Sequence, residues 1–174
     1  MLCQVGFANT TIQAVARLAG VGAPAIYRRW RNGLELIESA VAPTLEIAPI
    51  SPSGEFLDDI QRYVDAYTEA FSAPAARVAL PALLSAYQSE PERHRSVSLR
   101  VGQEVREGFT QLVQSARPGL VDPNLHPDDL LDLLIGSVLY RVFMRPFTGR
   151  PERPDQTSVL LVRAMRPSKT HQRR

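Results

Sequence analysis

Cysteine is all but missing from this chain: Cys3 is the only one in 174 residues. A single thiol excludes an internal disulfide framework and fits a reducing compartment. Long apolar runs are missing as well. The most apolar stretch, residues 130–140, is short and interrupted by Asp132, well below the ~20 residues of a membrane span. Met1-Leu2-Cys3-Gln4 has neither the basic region nor the apolar core of a signal peptide, so the expected location is the cytoplasm. Histidine is scarce, and His94, His126 and His171 lie far apart with no second ligand at metal spacing. No Walker-type loop, dinucleotide fingerprint or nucleophile elbow occurs. Neither a metal nor another cofactor is expected, and the chain is not expected to be an enzyme. Strand-like alternation and solenoid-length repeats are missing too.

What is present is ordinary folded-protein material, 44% hydrophobic, with a net charge of +2 that hides a strong asymmetry. Residues 1–33 carry Arg17, Arg28, Arg29 and Arg31 and no acid. Residues 163–174 carry four arginines and Lys169, again with no acid, so the stretch between holds −7. A basic end on an acidic body suits a protein that presents that end to a polyanion. A solvated tail is the plainer reading of the C-terminal charge.

The pattern is helical throughout. Ile12, Val15, Ala16 and Ala19 recur at helical spacing, with Thr10 or Thr11 placed to cap. Gly20 then breaks the helix where a tight turn needs a residue without Cβ strain. Val21 and Ile26 supply apolar contacts for a second helix, and that helix is predicted to run on through Tyr27, Arg28, Arg29, Trp30 and Arg31. In a helix-turn-helix the second helix lies in the DNA major groove. Asn32-Gly33 separates it from a helix running from about Leu34 to Glu46, after which Ser51-Pro52-Ser53-Gly54 reads as a linker. Body helices follow. One has Phe56, Ile60, Tyr63, Val64, Tyr67 and Phe71 on one face; the next opens at Pro74 and is predicted to kink at Pro81. A third opens at Pro91 with Val101, Val105, Phe109, Leu112 and Val113 inward, and two more are predicted at 126–145 and 157–165.

Gly6-Phe7, Thr10-Thr11, Ala16, Ala19-Gly20-Val21, Ile26 to Trp30 and Leu34 together resemble the DNA-binding head of TetR-family transcriptional regulators. Leu80 to Leu84, the apolar helix containing Gly136, and the closing helix resemble that family's body. The resemblance implies an all-α fold, with a head at 1–48, a ligand-binding and dimerising body at 54–166 and a basic tail at 167–174. It also implies a homodimer whose last two long helices form the interface, through Leu131, Ile135, Val138, Leu139, Val142, Leu160 and Leu161. Each head would then enter one of two successive major grooves of a palindromic operator. An unidentified small molecule in the body would release the operator, making the chain a ligand-responsive repressor.

Residue chemistry sets the expected DNA contacts. Thr11 can offer its hydroxyl to a phosphate or simply cap its helix, and Tyr27 can reach the DNA backbone or pack inward. Arg28 is suited to guanine O6 and N7, with a phosphate as the competing target. Gln13 stands where it can meet DNA or water. Arg29 and Arg31 suit diffuse phosphate attraction, and Trp30 suits an anchor between helices. Gly22-Ala23-Pro24-Ala25 has no polar side chain, so Ala23 and Ala25 would contribute methyl contacts or respond to DNA shape. Phe56, Tyr63, Tyr67, Leu84, Tyr87 and Phe109 can line a ligand pocket or pack as ordinary core.

Two departures from the family stand out. Gly33 occupies the place of a lysine that would touch phosphate, and only Met1 to Val5 precede the Gly-Phe loop, where the family has a full helix. Ile12, Val15 and Ile26 are therefore expected to lose burial, at ~1.5–3 kcal/mol for each large side chain exposed. A start upstream of Met1 is expected. The alternative is a dimeric helical small-molecule-binding protein with an impaired head.

Overall fold

The structure is a computed structural model describing residues 1–89, 91–151 and 153–167, without the side chains of 91–101. Apart from Pro167, the basic tail lies outside the described residues, as does the side chain of Val101. The elements are α1 (Leu2–Val5), α2 (Ile12–Ala19), α3 (Ala23–Tyr27), α4 (Gly33–Leu45), α5 (Phe56–Ser72), α6 (Pro74–Ser89), α7 (Pro91–Gln114), α8 (Pro127–Leu139) and α9 (Thr157–Ala164). A π-helical turn (Tyr140–Met144) and a 3-10 turn (Arg145–Phe147) continue from α8. Among the described residues there is no strand, so the fold is all-α.

The chain divides into two compact units: Met1–Glu46 with Ser72–Val101, and Ile47–Phe71 with the described residues from Gly102 onward. Helix α6 lies against both α4 and α1, so by packing it groups with the N-terminal helices, although its sequence falls within the expected body at 54–166.

In the first unit, Thr11 caps α2 by accepting from the Ala14 N–H at 3.2 Å. Gly20 ends it at φ 68°, a left-handed conformation that suits glycine. Asn32 caps α4 by accepting from the Glu35 N–H at 3.0 Å. Ile12, Ala16, Ile26 and Leu36 form a small core, with Val15, Ala23 and Trp30 packed on it. Ile12 and Ile26 are only 3% and 6% exposed, contrary to the expected loss of burial. Leu36 and Trp30 join Ile12 and Ile26 in this core, and of the three residues expected to lose burial Val15 alone is half-buried.

The second unit is built around Ile60, Tyr63, Val64, Phe109, Leu112, Leu131, Leu134, Val138 and Met165. Its opening segment does not behave as a free linker. Ile47 and Ile50 pack against this core. Asp59, only 1% exposed, then clamps the chain: its carboxylate accepts from the Ser53 N–H at 3.0 Å, from the Ser53 hydroxyl at 2.6 Å, and from Arg62. Arg62 also donates to the Ser51 carbonyl at 2.8 Å. Burial alone would push the Asp59 carboxyl up, but the bonds from Ser53 and the Arg62 guanidinium outweigh it and hold it below the usual aspartate value.

Tyr63 is 1% exposed, edge-on to Phe109 with ring centroids 5.2 Å apart, and its buried hydroxyl has no hydrogen-bond partner among the described residues. Gly108 leaves room for that oxygen; a Cβ there would stand 3.1 Å from it. An unpaired buried hydroxyl costs ~1–3 kcal/mol. Tyr63→Phe is therefore expected to stabilise the chain by about 1 kcal/mol, raising Tm by about 2–4 °C in a calorimetric scan. A lower Tm would show that the hydroxyl has a partner in solution.

Candidate nucleic-acid interface

Helices α2 and α3 pack against one another around the Gly20 turn. Helix α3 has five residues, Ala23–Tyr27, with Gly22 as an N-cap that lends no side chain and Pro24 in its first turn. It stops at Tyr27, earlier than the sequence suggests. Trp30 turns inward onto the small core, and Asn32 is already committed to capping α4, so residues 28–32 form the connection.

The expected contact residues sort by exposure and by prior engagement. Thr11, Gln13, Ala25, Tyr27, Arg28, Arg29 and Arg31 are exposed, whereas Ala23 is half-buried and packs on the core. Arg29 lies over the Trp30 ring, 5.0 Å from its centroid. Arg31 is tied to Glu35, its Nε 3.0 Å from the carboxylate, while the Arg31 N–H donates to the same group at 2.6 Å. Arg28 pairs with no acid among the described residues, which leaves its guanidinium available for a base edge or a phosphate. The Gln13 amide donates to the Tyr27 hydroxyl at 3.2 Å, joining α2 to α3.

Thr11, Gln13, Tyr27, Arg31 and Asn32 rim a groove of about 380 Å³ floored by Phe7, Ile12, Leu34 and Ile37. Gly33 opens α4 beside it and adds no charge. Thr10, the other candidate cap, is buried and donates to the Gly6 carbonyl at 2.7 Å, fastening the loop before α2.

The residues considered for a ligand pocket fall in both units. Tyr63, Tyr67 and Phe109 are buried in the core of the second unit, with Phe56 packed against it. Burial, helped by Tyr63 and Asp132 and opposed by Arg106, pushes the Tyr67 hydroxyl up to about 12. Leu84 and Tyr87 stand on α6 in the first unit, Leu84 exposed and Tyr87 half-buried.

The residues expected at a dimer interface divide by exposure. Leu131, Val138, Val142 and Leu161 are buried in the protomer's own core. Ile135 and Leu139 are half-buried and Leu160 is exposed. Besides Leu160 on α9, the outward apolar side chains of this region include Leu133 on α8, Tyr140 and Met144 in the π-helical turn, and Phe147 in the 3-10 turn. Sequence reasoning passed over Leu133, Tyr140 and Met144, although their spacing of seven and four residues repeats one helix face.

Among the described residues no helix is long and apolar enough to cross a membrane, and no three His, Cys, Asp or Glu side chains gather as a metal site. Comparison with curated proteins returned no match. Residues 1–40 match the family described as bacterial regulatory proteins, tetR family. Residues 50–159 match the tetracyclin repressor-like C-terminal domain. Helix-turn-helix head and helical body together therefore place this chain in the TetR family of ligand-responsive, DNA-binding transcriptional regulators.

Proposed function

We propose that this chain is a repressor that binds a palindromic operator as a homodimer and lets go when a small molecule occupies its body. The observation that carries the DNA-binding reading is the exposed set Thr11 and Gln13 at the start of α2 with Tyr27 and Arg28 at the end of α3, in the acid-free N-terminal part of the chain. Arg28 reads a base edge. Thr11 and Tyr27 hold phosphates, and Arg29 and Arg31 add diffuse attraction. Ala25 offers a methyl group to thymine.

The dimer reading is supported by the outward apolar side chains of α8, the π-helical turn and α9. Selection of bound sequences from a random duplex pool tests the whole reading. Two inverted half-sites one helical turn apart, or a multiple of that, are expected; an enriched single half-site would contradict a dimeric repressor. Arg28→Ala is expected to weaken binding to the selected site by about 1–2 kcal/mol and to relax the preference at one guanine. Equal weakening on all sequences would make Arg28 a phosphate contact.

A further inference from the structure

We infer that Gln13 is a positioning residue for Tyr27, holding the phenol so that its O–H donates outward to a phosphate oxygen; this rests on the DNA-binding reading above. The Gln13 Nε2 lies 3.2 Å from the Tyr27 oxygen and donates to it. A phenolic hydrogen prefers the plane of its ring and so has two places to point. The incoming amide N–H takes one of them, and the hydrogen is left in the other. Accepting a bond also makes the hydroxyl a better donor, because successive hydrogen bonds polarise one another. Thr11 repeats the arrangement on the same groove. Its oxygen accepts from the Ala14 N–H, which leaves its own hydrogen to give away.

Gln13 thus acts from α2 on a residue at the end of α3, and it does not itself have to touch DNA. The surroundings favour this division of work. Both side chains are exposed, so neither is needed to fill the core. Arg31, on the same groove, is partly engaged by Glu35, which raises the share of phosphate binding left to the neutral hydroxyls.

A double-mutant cycle on the full chain tests the inference, read by anisotropy of a fluorescein-labelled, mixed-sequence 30-base-pair duplex at several salt concentrations. Tyr27→Phe is expected to weaken binding about 10-fold. The slope of log affinity against log salt should stay unchanged, because no cation is removed. Gln13→Leu, which keeps much of the bulk and loses the donor, is expected to weaken binding about 3- to 5-fold, and Gln13→Ala to match it. In the Tyr27→Phe background Gln13→Leu should cost nothing further. Equal losses from Gln13→Leu in both backgrounds would show that Gln13 meets DNA directly, and no loss in the parent would show that it positions nothing; either result overturns the inference alone. Failure of the parent chain to bind the duplex at low salt would overturn the DNA-binding reading, and the inference with it.

Discussion

Leu133→Asp, alone or joined with Leu160→Asp, is expected to yield a folded monomer that binds its operator at least 100-fold more weakly than the parent. Leu133 and Leu160 are 57% and 60% exposed, so a carboxylate at either place stays hydrated in the lone protomer and costs little. Across a twofold interface each substitution occurs twice and buries charge against apolar side chains. Linking two heads raises operator affinity by ~10²–10⁴ over one head, which sets the size of the loss. Leu134→Asp is the contrast: Leu134 is fully buried, and a charge there should unfold the protomer. Sedimentation equilibrium and anisotropy separate the two behaviours. A Leu133→Asp, Leu160→Asp chain that remains dimeric would place the interface elsewhere.

Asp59→Ala is expected to destabilise the chain by about 2–3 kcal/mol, since it removes a buried carboxylate acceptor of charge-assisted bonds. At this chain length that is a fall in Tm of about 5–10 °C, against a total stability of about 5–15 kcal/mol. The clamp also carries a pH signature. The folded carboxyl is held below the usual aspartate value by Ser53 and Arg62 despite its burial. A depressed acid stabilises the fold above its unfolded value, and that contribution drains away as pH falls through the folded one. Asp59→Asn should therefore lose less Tm than the parent on acidification below about pH 4. Parallel acid limbs for parent and Asp59→Asn would contradict the clamp.

Where local chemistry decides, the sequence was readable. The Thr11 cap, the Gly20 turn and the Asn32 cap each depend on a few neighbouring residues, and they fix α2 and the start of α4. The end of α3 was less readable. Arginine is a good helix former, so nothing local at Arg28 or Arg29 announces that Trp30 will turn inward and end the helix. The core of the head was misjudged because the cover for Ile12 and Ile26 comes from Leu36 on α4 and from Trp30, not from a helix ahead of the loop.

The body shows a second kind of ambiguity. Helix α8 and the turn after it are apolar on two faces, one bearing Leu131, Leu134, Val138 and Val142, the other Leu133, Tyr140 and Met144. Hydrophobicity alone does not say which face meets the protomer's own core. The π-helical turn at Tyr140–Met144 has no sequence signature. Asp59 follows Asp58 in the first turn of α5, where an acid ordinarily reads as a favourable but solvated partner of the helix dipole. Its burial depends on Ser53 folding back, a contact set by the path of the connecting segment.

The most direct test is a fluorescence-anisotropy titration of the full chain against the DNA upstream of its own gene, repeated from 50 to 200 mM salt. The expected result is saturable binding whose log affinity falls linearly with log salt, with a slope of about −4 to −7 for several phosphates neutralised per dimer. Absence of binding at low salt, or binding indifferent to salt, would contradict the assignment of the arginine-bearing head as the part that grips DNA.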